Sequence, residues 1–116
     1  MKIIGLVGGS SWVSSADYYR RINELVNRQL GGVEFAQCIL YSFNFGELKR
    51  LSEKQDWKTL LERLTDVCQK LSKAGAGCIL LCANTLHLVA DDLAGRIDLP
   101  IIHIAETTAE AIQAKG

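Results

Sequence analysis

The segment Cys78-Ile79-Leu80-Leu81-Cys82-Ala83-Asn84-Thr85-Leu86-His87 decides how this chain is read. It is a short apolar run that ends abruptly in a thiol, an amide, a hydroxyl and an imidazole. Gly75-Ala76-Gly77 bounds it on one side and polar residues on the other, the pattern of a strand buried on both faces of a parallel sheet. Its polar cluster then lies at the strand's carboxyl end, where open α/β sheets bind ligands. Asn84 or Thr85 can cap a helix through Leu86-His87-Leu88-Val89-Ala90. A thiol just ahead of a helix N-terminus faces unpaired N–H groups and the positive end of the dipole, which favour thiolate. Cys82 is therefore the expected functional centre, in a setting that suits a reactive cysteine.

Working outward, the same strand–turn–helix pattern recurs. Residues 2–7 make a first strand, Gly8-Gly9-Ser10-Ser11 a turn, and residues 15–30 a helix with Tyr18, Ile22, Leu25, Val26 and Leu30 on one face. Ser14 or Ser15 is its expected N-cap. The turn lacks the G-x-G-x-x-G and G-K-[ST] spacings of nucleotide sites. The N–H groups of residues 9–11 could seat a short anion such as a carboxylate, or simply make a tight turn. Gly31-Gly32 stops the helix. Residues 37–41 form the second strand, followed by the polar and aromatic Ser42-Phe43-Asn44-Phe45, and residues 46–56 read as a short helix or a loop. A strong amphipathic helix follows over residues 57–73, with Trp57, Leu60, Leu61, Leu64, Cys68 and Leu71 inward and Lys58, Glu62, Arg63 and Lys70 outward. Pro100 precedes a fourth strand, residues 101–104, and residues 105–114 read as a last helix.

The resulting order βαβαβαβα specifies an α/β fold. Four parallel strands should follow the flavodoxin-like order 2-1-3-4, with helices on both faces. The strand ends near Ser10, Asn44, Cys82 and Glu106 then share one edge.

Composition narrows the function. At 116 residues the chain is one domain, and 48% hydrophobic residues with a single proline argue against disorder. Thirteen basic and thirteen acidic residues cancel and form no stripe, so neither nucleic acid nor an anionic membrane surface is an expected partner. The opening apolar run is too short for a membrane span and lacks the features of a signal peptide, which points to a cytoplasmic protein. No C-x-x-C pair exists, and Cys78-x-x-x-Cys82 with two histidines is a poor zinc pattern, so no metal is expected. Cys38, Cys68 and Cys78 read as small buried hydrophobes. His87 either tunes Cys82 or serves a surface or capping role, and His103 reads as a hydrogen-bonded core histidine.

Five stretches, taken in order, resemble the aspartate/glutamate racemase family: Ile4-Gly5-Leu6-Val7-Gly8-Gly9-Ser10-Ser11-Trp12, Asp17-Tyr18-Tyr19-Arg20-Arg21-Ile22-Asn23, Tyr41-Ser42-Phe43-Asn44-Phe45, Leu81-Cys82-Ala83-Asn84-Thr85-Leu86-His87 and Leu99-Pro100-Ile101-Ile102-His103-Ile104-Ala105. The cysteine-asparagine-threonine motif is the most specific of them. The resemblance implies a cofactor-independent amino-acid racemase built from two similar α/β domains, with one catalytic cysteine from each. It implies that Cys82 transfers the α-proton on one face, that Asn84 and Thr85 hold the substrate α-carboxylate, and that Ser10, Ser11 and Asn44 border the pocket. The implied substrate is aspartate or glutamate. Ser10, Val13 and Glu106 stand where the family more often has methionine, glutamate and aspartate.

The resemblance covers the family's first domain, so the chain reads as an N-terminal half with one of two cysteines. Cys78 lies about 13 Å along the strand from Cys82 and cannot oppose it across a small substrate. The alternatives are a non-catalytic remnant that folds and binds a small carboxylate, and a thiol-redox or thioester-forming protein. Self-association through the strand-end rim is also expected.

Overall fold

The structure, a computed structural model, describes residues 2–82, 86 and 89–102. Four strands, β1 (Ile3–Gly8), β2 (Cys38–Ser42), β3 (Ala76–Leu81) and β4 (Ile101–Ile102), form one parallel sheet in the order β2-β1-β3-β4. The connecting helices are α1 (Trp12–Leu30), α2 (Phe45–Glu53), α3 (Trp57–Lys73) and α4 (Ala90–Ala94). The expected order 2-1-3-4 is the one observed.

Side chains alternate across each strand, so consecutive apolar residues must find partners on opposite faces. Ile4, Leu6, Cys78, Leu80 and Cys82 pack with Ile22 and Val26 of α1. Val7, Ile79 and Leu81 face the other way, onto Leu60, Leu64, Val67 and Leu71 of α3, Leu48 of α2 and Leu93 of α4. Helices thus cover both faces, and each fully buried Leu or Ile stabilises the fold by about 1.5–3 kcal/mol. Among the described residues, no helix is long and apolar enough to cross a membrane.

Several boundaries differ from the expectations. Helix α1 begins three residues before residue 15, and its N-cap is Ser11, not Ser14 or Ser15. Ser11 has an extended backbone (φ −152°, ψ 119°) and its hydroxyl accepts the Ser14 N–H at 3.3 Å. The first turn was invisible to periodicity because Trp12 and Val13 are exposed. Leu30 is exposed, not inward. Residues 45–53 resolve as helix α2, which buries only Leu48 fully and so carries a faint apolar pattern. Cys38 is half-buried on the edge strand, whereas Cys68 and Cys78 are buried as expected. Residues 103–104 of the expected fourth strand and the whole expected last helix lie outside the described residues.

Candidate active site

Parallel pairing of β1 with β2 sets Gly8 beside Ser42, so the turns that follow the two strands are neighbours. Their backbones are pressed together. The Phe43 N–H donates to the Gly8 carbonyl at 2.8 Å, and Gly9 passes the Phe43 backbone at φ +126°. A Cβ at Gly9 would fall inside contact with the Phe43 carbonyl oxygen and 2.6 Å from its nitrogen, so only glycine fits. Each turn then opens directly into a helix, because Ser11 caps α1 and Asn44 caps α2. The Asn44 side-chain oxygen accepts the Gly46 N–H at 3.2 Å.

Between the turns lies a cleft of about 330 Å³, lined by residues 9–12 and 42–45. Three expected site residues, Ser10, Ser11 and Asn44, meet there. Among the described residues, no charged side chain lines it. Its field comes from two helix N-termini, whose first-turn N–H groups have no intrahelical acceptors and carry the positive ends of the dipoles. Two such ends converging on one small volume favour a carboxylate. Trp12, 77% exposed, and Phe45, 52% exposed, stand among its lining residues.

Cys82 follows β3 and extends its pairing: its N–H donates to the Val7 carbonyl at 2.8 Å. Its side chain does not line the cleft. It lies on the α1 face of the sheet with no exposed surface, and its thiol donates to the Leu80 carbonyl at 3.7 Å. Burial pushes the thiol up to about 12, against a lowering by the Val7 hydrogen bond. This corrects the expectation of a thiolate-favouring setting, because loss of water around the sulfur outweighs any stabilisation of its charge. Gly8 separates Cys82 from the mouth of α1. A Cβ there would lie 3.6 Å from the Cys82 Cβ and would collide with the Ser15 hydroxyl. Ser15 is itself buried, with its hydroxyl donating to the Ser11 carbonyl at 3.3 Å. Asn84, Thr85, His87, His103 and Glu106 lie outside the described residues.

Two features had no signal in the sequence. The close passage of Gly9 over Phe43 joins turns 34 positions apart in the chain. Arg63, read as an outward residue of α3, instead reaches back to β2 and α2. Its Nε donates to the Glu47 carboxylate at 2.6 Å, and its guanidinium lies 5.4 Å from the Phe43 ring centre. Among the described residues, no group of three or more His, Cys, Asp or Glu side chains could hold a metal ion.

Comparison with known proteins extends these observations. The family model for Asp/Glu/hydantoin racemases matches residues 7–116. A protein from Yersinia pestis, described as a candidate Asp/Glu racemase, superposes with a TM-score of 0.85 at 47% identity. An aspartate racemase homologue from Pyrococcus horikoshii OT3 superposes with a TM-score of 0.80 at 33% identity. In both cases all of this chain is covered and 50% of the other, so it spans half their length. The parallel sheet, the two converging helix N-termini and these matches lead to one conclusion: the chain belongs to the Asp/Glu/hydantoin racemase family.

Proposed function

We propose that this chain forms one side of the active site of a cofactor-independent amino-acid racemase acting on aspartate or glutamate, and corresponds to the N-terminal domain of a two-domain enzyme. One observation carries the reading: the cleft where two helix N-termini meet, lined by Ser10, Ser11 and Asn44 and free of charged side chains among the described residues. A carboxylate seated there accepts backbone N–H, serine hydroxyl and Asn44 amide donors, with Asn84 and Thr85 as further ligands. Fixed donors of this kind also meet the charge that develops when the α-proton leaves, without reorganisation at that moment.

The family's cysteine-asparagine-threonine motif makes Cys82 the proton-transfer group on this side, although its buried side chain does not itself line the cleft. A thiol held near 12 is protonated at neutral pH, so in its resting form it is the acid. It delivers its proton to one face of the α-carbon while a base on the opposite face removes the original one. That base, a second thiolate, comes from another domain or another subunit. Trp12, Val13 and Phe45 are exposed at the start of the two helices and provide an apolar surface for such a partner, including a second copy. A strictly monomeric chain at high concentration by sedimentation counts against the second-copy form.

The complete burial of Cys82 favours a second reading, a non-catalytic domain that binds a small carboxylate in the same cleft. Exchange of the α-proton in heavy water with L-aspartate and L-glutamate, followed by mass and chirality, separates the two. Exchange with inversion that disappears in Cys82→Ala supports the racemase. Exchange with retention that disappears in Cys82→Ala makes Cys82 a one-sided base and overturns its assignment as the resting acid. Binding without exchange leaves the carboxylate-binding domain, and neither binding nor exchange sinks both.

A further inference from the structure

We infer that Arg63 is a positioning residue for the cleft, which it holds open from behind, at a distance from any ligand. The inference rests on the cleft being the carboxylate site proposed above. The wall formed by residues 42–45 has two anchors. One is the backbone pairing of Phe43 with Gly8, at 2.8 Å. The other is the Phe43 ring, which is 5% exposed and packs into the core on the α3 side.

Arg63 closes that second anchor. Its guanidinium lies 5.4 Å from the Phe43 ring centre, within cation–π range, and Tyr41 meets the same ring edge-on at 5.2 Å. Through Nε it also holds Glu47 at 2.6 Å, and Glu47 stands in the first turn of α2, three residues past the Asn44 cap. One side chain of α3 thus grips both the residue before the α2 cap and the first turn after it. The Arg63 and Glu47 side chains are 35% and 32% exposed, so the pair is shielded better than a surface ion pair and its flat, fork-shaped donor is not replaced by an ammonium. The other ion pairs described here run within a single helix, at spacings of three or four. This one spans 16 positions and ties α3 to α2.

The consequence concerns the direction of the α2 N-terminus. A carboxylate binds between two dipole ends only if both point into the same volume. The α1 end is fixed by the Gly8–Gly9 turn, and the α2 end by Phe43 and Glu47. Without Arg63, the α2 end is free to tilt, and the Asn44 amide moves with it. Misplacement of a binding group by about 1 Å can cost up to about 100-fold.

The test uses the full chain, labelled for NMR, with L-aspartate as probe, and compares Arg63→Met, Arg63→Lys, Glu47→Gln and the wild type. Arg63→Met is expected to shift the free-protein amide signals of residues 43–47 and to speed their hydrogen exchange, while signals of residues 9–14 stay in place. The same variant should bind L-aspartate about tenfold more weakly, with Arg63→Lys intermediate. A merely stabilising role would lower the unfolding midpoint and leave both the signals and the dissociation constant of the folded protein unchanged, which overturns the inference. Should the wild type bind no L-aspartate, the carboxylate reading fails, and the exchange pattern at residues 43–47 still decides whether Arg63 positions α2.

Discussion

The most demanding consequence of this architecture falls on Gly9, and Gly9→Ala is the substitution that tests it. Two costs are expected. Gly9 has φ +126°, a conformation side chains avoid, and holding a non-glycine residue in such a sparsely populated region costs about 1–3 kcal/mol. The added Cβ would also sit 2.6 Å from the Phe43 nitrogen and 2.8 Å from its carbonyl carbon, where ordinary contact begins at 3.4 Å. The obstacle is backbone, not a side chain that can swing aside, and the Phe43 carbonyl oxygen is closer still, so the two turns must separate by roughly 1 Å. Separation breaks the Phe43–Gly8 hydrogen bond, worth about 1 kcal/mol. The total is about 2–4 kcal/mol, a large share of the roughly 5–15 kcal/mol that keeps a domain folded. Gly32→Ala is the control. It also has positive φ, +57°, but nothing lies within 4 Å of its would-be Cβ, so only the dihedral cost of about 1–2 kcal/mol applies. Urea unfolding of both variants, followed by circular dichroism, isolates the crowding between the turns. Equal losses, within about 0.5 kcal/mol, would refute the claim that the Phe43 backbone is what requires glycine at position 9.

Two further outcomes follow from the same structure. Cys82 is held up to about 12 and Cys68 up to about 11, both by burial, against an ordinary value of 9.0. Between those values the unfolded chain has lost protons that the folded chain keeps, so this stability is complete below pH 9 and falls as pH rises through the folded values. The slope is about 1.4 kcal/mol per pH unit for each thiol, and urea midpoints from pH 8 to 11 should decline accordingly, less steeply in Cys82→Ala. An unchanged slope in that variant would show that Cys82 is not held as a buried thiol. Removing either helix cap, by Ser11→Ala or Asn44→Ala, should cost about 1 kcal/mol in the same assay and weaken L-aspartate binding by NMR titration. Loss of stability with unchanged affinity would separate the caps from the site.

The Glu47–Arg63 link and the Cys82 environment show how far a linear reading reaches. Residue 63 occupies an outward position of an amphipathic pattern, which assigns it to solvent. Its length lets it fold back over Phe43, and no local period reports that. For Cys82, the end of an apolar strand was legible, but solvent access was not. Dipole stabilisation is inferred from neighbours in sequence, whereas desolvation depends on α1 packing across the sheet, and here desolvation is the larger effect. Helix α2 and the first turn of α1 were faint for a related reason. Their residues face a cleft or solvent, so apolar periodicity, which reports core contacts, has little to report.

By itself the sequence determined the alternation of strands and helices and the parallel sheet, and it left the order 2-1-3-4 as one of a few allowed. Each depends on local hydrophobic period and on the limited ways such units pack. It also placed Ser10, Ser11, Asn44 and Cys82 at strand ends. The tertiary structure alone decided that Cys82 stands apart from the cleft where Ser10, Ser11 and Asn44 meet, buried against α1, that Gly9 crosses the Phe43 backbone, and that Arg63 ties α3 to α2. Those properties arise from contacts between segments far apart in the chain, where closeness in space follows from packing and has no counterpart in spacing along the sequence.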